Sequence, residues 1–142
     1  MLLAKLAVLA TALFTGAAMY VSMVEHPARL QCSNEIALAQ WRPSYQRGTV
    51  MQASLAIAGL LLGISAWLSQ AGRIWLVAGI LLGSVVPFTL LIIFPTNKRL
   101  EDPALDASSE TARSLLVRWG HSHAVRSVLS LVALLLMLFV SR

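Results

Sequence analysis

Three side chains near the start of the last apolar segment combine groups that proton-transfer chemistry uses. Trp119, His123 and Arg126 are spaced i, i+4 and i+7. On a helix they would lie on one face and present an aromatic ring, a titratable imidazole and a fixed cation together. A second histidine, His26, follows Glu25 at the end of the first apolar segment. An ionisable pair there is costly unless something satisfies or uses it, so we predict that the two clusters meet.

Further polar and aromatic side chains are expected at the same depth in the membrane. They are Trp41, Tyr45, Gln52 and Asn97. An interfacial belt is the simplest alternative, because tryptophan and tyrosine favour the depth of the lipid headgroups and arginine binds lipid phosphate. The belt accounts for the tryptophans and arginines, but not for the carboxylate, amide and imidazole groups gathered on one side. A shared pocket and a belt therefore remain as the two interpretations.

The elements that must position these groups are four uncharged apolar stretches. The chain has 142 residues, of which 58% are hydrophobic and only 12% are charged, a balance typical of membrane proteins. We predict spans at about 4–25, 48–69, 73–95 and 120–140, each near the roughly 20 residues that cross a bilayer. The last helix should begin earlier, near Ser108 to Glu110, as a juxtamembrane extension. The expected fold is all-α: a single transmembrane domain built as an up-down-up-down four-helix bundle.

The first segment has one alternative interpretation. Lys5 precedes an apolar run, and Gly16 to Ala18 partly resemble the cleavage site of a signal peptide. The run is long for such a peptide, and no soluble domain follows it. We therefore favour a membrane span.

The basic residues predict the orientation. Eight of the eleven lysine and arginine residues fall on the side of the first and third loops. The positive-inside rule then places loops 25–47 and 96–123 in the cytoplasm and both termini outside. We expect an integral protein of a bacterial inner (plasma) membrane whose partners are membrane lipid and a hydrophobic small molecule, and which forms a homo-oligomer. Nucleic acid is not an expected partner, because no basic run with interleaved aromatic residues occurs.

Glycine and proline predict three local features. The second and third segments carry Gly59–Gly63 and Gly79–Gly83, a spacing that lets helix backbones approach closely, so these helices should pack together. Pro87 lies inside the third segment, where a kink or local opening is expected. Pro43 is expected in the first turn of the second helix.

Other kinds of membrane protein are less consistent with the sequence. Haem or a metal ion could be held by His26 and His123, with Glu25 or His121 as further metal ligands, but no HxxxH or ExxH spacing supports this. No metal site and no cofactor are therefore predicted. Cys32 is the single cysteine, which excludes disulfide exchange between a pair within one chain. A proton-coupled transporter needs a charge near the bilayer midplane, whereas the acids lie at or outside the ends of the segments.

Several short motifs resemble those of one membrane-protein family. They are Glu25-His26-Pro27-Ala28-Arg29, Trp41-Arg42-Pro43-Ser44-Tyr45-Gln46-Arg47-Gly48, Pro95-Thr96-Asn97-Lys98-Arg99-Leu100, and Trp119 with His123 and Arg126. This set resembles the anthrone-oxygenase-like family of small four-helix membrane proteins, long carried as a domain of unknown function. The resemblance covers nearly the entire chain.

The resemblance implies an oxygenase that converts an anthrone to an anthraquinone with O2 and without an evident metal or flavin. Under this interpretation the substrate is a flat, hydrophobic phenol or hydroquinone, and the catalytic residues are His26 or His123 as base with Arg126 and Asn97. The expected substrate-binding residues are Glu25, Trp41, Tyr45, Gln52 and Trp119. The alternative function is a non-enzymatic membrane binding or assembly subunit.

Overall fold

Four long helices make up the fold. The computed structural model describes residues 2–140, except for the side chain of Gln70. Its helices are α1 (Leu2–Arg29), α2 (Asn34–Ser69), α3 (Arg73–Glu101) and α4 (Glu110–Val140), each long and apolar enough to cross a membrane. They alternate in direction, and the described residues contain no strand. The predicted all-α membrane bundle is confirmed.

The first connection is shorter than predicted. Both α1 and α2 extend into it, so that 30–33 alone lie outside the helices instead of 25–47. The Ser33 hydroxyl accepts a hydrogen bond from a main-chain amide of the first turn and so starts α2. Because this cap comes early, Pro43 lies inside the helix and not in its first turn, and that prediction is wrong.

The link between α3 and α4 is also short. It covers 102–109, where the Asp106 side chain accepts hydrogen bonds from the chain that follows it. The Ser109 hydroxyl accepts a hydrogen bond from an amide of α4 and caps the helix. The predicted juxtamembrane start of the last helix is confirmed at Glu110, whereas the predicted loop 96–123 is mostly helical.

α2 and α3 pack through their glycines, as predicted. A methyl group added to Gly63 would lie 2.9 Å from the main-chain oxygen of Trp75 and 3.0 Å from Cα of Gly79. These distances are too short for a real Cβ, so the two backbones can touch only because side chains are absent. Gly83 makes room for Leu60 of α2 in the same way.

α3 is irregular on both sides of Pro87. Its first regular stretch ends at Gly83, one short turn follows, and Thr89–Ile93 form a π-helical turn before the helix resumes. The Thr89 hydroxyl donates to the carbonyl oxygen of Val85 at 2.6 Å, which satisfies one main-chain acceptor beside the proline. The expected irregularity is thus present as a change of helical pitch.

The core is layered along the bundle axis. One end layer contains Trp75 and Met137, and the middle layer contains Phe14 and Leu82. The other end layer is built around Trp41 and several leucines of α2, α3 and α4. Large apolar side chains on all four helices face outward, where lipid is their solvent. Among the buried polar groups, Arg126 contacts Phe14 of the middle layer, and His123 contacts Trp119 of the layer around Trp41.

Candidate active site

Trp119 is the centre of an aromatic cluster that contacts both buried histidines. Its ring centroid lies 5.0 Å from that of His26 and 4.9 Å from that of His123. Trp41 meets Trp119 edge-on at 5.8 Å and stacks on Tyr45 at 4.8 Å. Rings from α1, α2 and α4 therefore converge, and they offer both faces and edges to a flat aromatic molecule.

His26 is held by hydrogen bonds at both ring nitrogens. Nε2 lies 2.9 Å from the carbonyl oxygen of Leu116, and Nδ1 lies 2.9 Å from Nη1 of Arg29. A carbonyl can only accept and a guanidinium can only donate, so Nε2 carries the proton and Nδ1 is the acceptor. His26 is therefore a neutral imidazole whose lone pair is already used.

The His26 ring reaches α4 because residue 120 is a glycine. A methyl group at Gly120 would lie 2.5 Å from Cδ2 and 2.6 Å from Nε2 of His26. Both distances are far shorter than a normal contact, so a larger residue would push the ring away from the Leu116 carbonyl. Gly120 thus leaves the space that the His26 imidazole occupies.

Glu25 and Arg29 form a clip between α1 and α2. Oε1 of Glu25 accepts hydrogen bonds from Arg29 Nη2 at 2.6 Å, from Ser44 Oγ at 2.6 Å and from Gln40 Nε2 at 3.0 Å. The Arg29 Nε–H also donates to the side-chain oxygen of Gln40. These charges satisfy each other, and the clip holds His26 by the remaining donor of Arg29.

His123 differs from His26 in having one free nitrogen. The side chain is buried, and Nδ1 lies 3.0 Å from the Ser22 hydroxyl oxygen. Nε2 has no hydrogen-bond partner among residues 2–140. His121, two residues earlier on α4, is exposed and takes no part in the cluster.

Arg126 is a buried cation that has no carboxylate partner among residues 2–140. It is 9% exposed, its Nη2 donates to Oε1 of Gln52 at 2.8 Å, and its guanidinium carbon lies 5.6 Å from the centroid of the Phe14 ring. Its Nε has no partner, and the one ion pair in the described part of the chain is Glu25 with Arg29. An uncompensated charge inside a membrane bundle is energetically unfavourable, so the Arg126 guanidinium is suited to bind an anion.

Two small adjoining cavities lie beside these groups. The first, of about 30 Å³, is lined by Val21, Ser44, Tyr45, Gly48, Thr49, Gln52, Trp119, His123 and Arg126. The second, of about 90 Å³, shares Gln52 and Arg126 and extends between α2 and α3 as far as Thr89. A larger groove of about 330 Å³ lies beside Glu25, but the polar groups of Glu25 there are already paired. The free polar groups line the small cavities, which are therefore the candidate reaction site.

The structure gathers most of the predicted site residues in one place. They are His26, Trp41, Tyr45, Gln52, Trp119, His123 and Arg126. His26 and Trp41 belong to this group through Trp119 and do not line the cavities. Two predicted members lie outside the group: Glu25, in the clip, and Asn97, which is fully buried on α3 with no partner for either amide atom within residues 2–140. The catalytic and binding roles assigned from the sequence stay predictions.

Three residues of the site are absent from the sequence-based prediction: Ser22, Ser127 and Gly120. The two serines stand four residues from His26 and His123, and this spacing is the signal that could have identified them. Gly120 carries no signal in the sequence, because only the position of the facing imidazole makes it necessary.

The structure offers few side chains that could bind a metal ion or haem. Within the described range no three histidine, cysteine, aspartate or glutamate side chains converge on one point. The alternative of haem between His26 and His123 would require His26 to give up either Leu116 or Arg29, because both of its nitrogens are hydrogen-bonded.

Comparisons with known proteins give matches over most of the chain. The family model described as anthrone oxygenase matches residues 41–136. The anthrone oxygenase of Claviceps purpurea is 32% identical over 87% of this chain and 79% of its own. Anthrone oxygenase tpcL of Aspergillus fumigatus is 34% identical over 89% and 84%, and the noranthrone monooxygenase of Aspergillus flavus is 26% identical over 88% and 66%. No solved structure matches the chain.

Proposed function

This chain belongs to the anthrone oxygenase family, and we propose that it oxidises a flat, hydrophobic anthrone-type phenol or hydroquinone with O2 inside the membrane. The family is one of oxygenases, and four helices of the chain are suited to span a bilayer. One observation carries the finer proposal. An imidazole whose Nε2 has no hydrogen-bond partner and a guanidinium that has no carboxylate partner, both among residues 2–140, line the same cavity.

The first step is removal of a proton by His123. An anthrone has an acidic CH2 group between its aromatic rings, and the free Nε2 of His123 is the base that takes one of its protons. The resulting anion carries its charge largely on the carbonyl-derived oxygen. Arg126, which has no carboxylate partner among residues 2–140, stabilises this charge as an oxyanion site does.

The second step is oxidation of that anion by O2. One electron passes from the anion to O2, and the carbon-centred radical and superoxide then combine to form a C–O bond. The peroxide takes back the proton held by His123 and loses water, which leaves a carbonyl where the CH2 group was. Anthrone and O2 thus give anthraquinone and water, with all electrons supplied by the substrate, so the proposed reaction needs no cofactor.

Of the two predicted bases, the geometry favours His123. His26 uses its lone pair to accept from Arg29 and its N–H to donate to Leu116, so it is better suited to hold Trp119 in place. We assign the aromatic cluster, with Tyr45 and Gln52, to substrate binding. Asn97 was predicted as a catalytic residue, and that role stays a prediction: its amide is buried and without a partner within the described residues, but it lines neither cavity.

Substrate entry follows from the sizes of the cavities. Cavities of about 30 and 90 Å³ are smaller than the roughly 300 Å³ of typical small-molecule sites, so the pocket must widen to admit three fused rings. The second cavity extends between α2 and α3 beside the irregular stretch around Pro87. A hydrophobic substrate dissolved in lipid would enter there.

The test is oxygen uptake and quinone formation by the purified protein in detergent with an anthrone in air. His123→Ala should lower turnover about 10²- to 10⁴-fold, as expected when a general base is lost. His121→Ala removes an exposed imidazole from the same helix and is the matched control. With ¹⁸O2, one labelled oxygen should appear in the quinone. Turnover of His123→Ala at the wild-type rate, above the protein-free background, would refute the proposal.

We further propose that the 30–33 and 102–109 loops face the cytoplasm, following the distribution of basic residues. The fungal relatives named above lend no support to the bacterial part of the expected location. Cys32 supplies the test, because it is the single cysteine and lies exposed in the first loop. A membrane-impermeant thiol reagent should leave Cys32 unlabelled in intact cells, but should label Ser69→Cys in the opposite hairpin of a Cys32→Ser background. The reverse pattern would invert the orientation.

A further inference from the structure

A chain of hydroxyl groups leads from His123 to the main chain of α1. Nδ1 of His123 lies 3.0 Å from Ser22 Oγ, which lies 2.8 Å from Ser127 Oγ. Ser127 Oγ in turn lies 3.0 Å from the carbonyl oxygen of Ala18. The contacts cross between α1 and α4 three times, so the two helices together hold this chain of hydroxyl groups in place.

The far end of the chain sets the direction of every bond in it. The Ala18 carbonyl can only accept, so the Ser127 hydroxyl donates to it. Each serine hydroxyl has one proton, and Ser127 must therefore accept from Ser22. Ser22 has then used its own proton and can only accept from His123, so the His123 proton is on Nδ1.

From this polarity we infer that Ser22 and Ser127 are positioning residues that hold His123 with its proton on Nδ1 and its lone pair free on Nε2. The inference rests on the proposed function, in which that lone pair takes the substrate proton. His26 is held in the opposite tautomer, with its proton on Nε2, by Leu116 and Arg29. The two imidazoles beside Trp119 thus have different tasks, which their partners determine.

The local backbone supports a special role for Ser22. It lies in the π-helical turn Val21–Glu25, where α1 departs from regular α-helix. Such turns occur mostly as single insertions and often mark functional sites. One extra residue in the turn changes the direction in which the following side chains point, and here Ser22 and His26 both contact α4.

Loss of either hydroxyl should change the tautomer. In Ser127→Ala the Ser22 hydroxyl loses its acceptor at position 127 and can donate its proton to Nδ1 of His123 instead, which would move the imidazole proton to Nε2 and remove the base from the cavity. One hydrogen bond of this kind shifts the equilibrium about 2- to 13-fold, and kcat should fall by up to that factor while KM changes little. Ser22→Ala should act in the same direction, and Ser22→Thr, which keeps the hydroxyl, should restore both tautomer and rate.

The direct test is nitrogen NMR of protein labelled with ¹⁵N-histidine in detergent micelles. The chain has three histidines, so single His→Ala variants assign the signals. We expect His123 to show the Nδ1–H pattern in the wild type and in the control Ser130→Ala, which removes a buried hydroxyl of α4 bonded to the main chain alone. Ser127→Ala should shift the pattern towards Nε2–H. An Nε2–H pattern in the wild type, or an unchanged pattern in both Ser127→Ala and Ser22→Ala, would overturn the inference.

The outcomes separate the inference from the proposed function. If the NMR patterns are as expected but His123→Ala turns over at the wild-type rate, the hydroxyl chain is correct and the base assignment is wrong. If His123→Ala is inactive but the serine variants keep the wild-type tautomer and kcat, the base assignment stands and the positioning role fails.

Discussion

Replacing Arg126 by methionine should abolish most of the activity while stability stays the same or rises. The guanidinium is 9% exposed, has one side-chain acceptor in Gln52, and has no carboxylate within the described part of the bundle. If this charge is retained to bind the substrate anion, it destabilises the folded protein when no substrate is bound. Methionine keeps the length and the apolar stem of the side chain but removes the charge.

The expected magnitudes come from the contacts of Arg126. In the wild type, the charge-assisted hydrogen bond from Arg126 to Gln52 at 2.8 Å stabilises the protein by about 1.5–3 kcal/mol, and the variant loses this contribution. Removing an unpaired arginine from a membrane helix gains roughly 2.5–3.5 kcal/mol or more. The net change in unfolding free energy should therefore lie between about −0.5 and 2 kcal/mol, where a positive value favours Arg126→Met. Loss of one oxyanion donor should lower kcat about 10²- to 10³-fold.

Both quantities can be measured on the same preparations. Unfolding in mixed micelles with increasing SDS, followed by circular dichroism, gives the stability, and quinone formation gives kcat. Arg118→Met is the matched control, because Arg118 lies on α4 and is exposed. It should change neither quantity by much. The double variant Arg126→Met, Gln52→Leu also removes the amide left unpaired and should be more stable than the single variant.

One result would refute this argument. If Arg126→Met is destabilised by more than about 1 kcal/mol and loses activity only in proportion to its unfolded fraction, then Arg126 supports the fold and is not kept for a substrate anion. The charge would then be compensated in the folded state by groups other than a substrate.

Three further substitutions test the framework of the site by the same unfolding assay. Gly120→Ala should cost about 1–3 kcal/mol and lower activity, because the added methyl group would lie 2.5 Å from the His26 ring. Gly63→Ala should cost at least as much while acting at the α2–α3 contact, since its nearest neighbours are main-chain atoms at 2.9 and 3.0 Å. Gly16→Ala, with nothing within 4 Å of the added group, is the control for both and should be neutral. Glu25→Gln should cost about 1–3 kcal/mol, because it leaves the arginine of the clip without its carboxylate. A neutral Gly120→Ala or Glu25→Gln would contradict the packing or the clip described here.

Part of this site could be predicted because α4 is a regular helix. Trp119, His123 and Arg126 were placed on one face by their spacing alone, and all three side chains are buried in the structure. The glycine contact of α2 and α3 was predictable for a similar reason, because regular spacing in two helices joined by a short hairpin fixes which faces meet. Periodicity carries information wherever the backbone follows it.

The rest depended on features that periodicity does not encode. The π-helical turn before His26 changes the phase of α1, and the early Ser33 cap moves Pro43 into the interior of α2. The division of labour between His26 and His123 depends on which neighbours can donate and which can only accept, and these neighbours are far away in the sequence. No pattern along one helix could supply that information.

The placement of acidic residues explains how the bundle keeps Arg126 unpaired. The chain has six acidic residues, and Glu25 lies next to the cavity because it accepts a hydrogen bond from Ser44, which lines it. Its carboxylate already accepts hydrogen bonds from Arg29, Gln40 and Ser44, so it is not available to pair with Arg126. The clip therefore joins α1 to α2 and also binds the Glu25 carboxylate. This leaves the Arg126 guanidinium available for an anionic substrate. Weakening the clip should consequently lower substrate affinity as well as stability, because a released Glu25 would compete for Arg126 with the substrate anion.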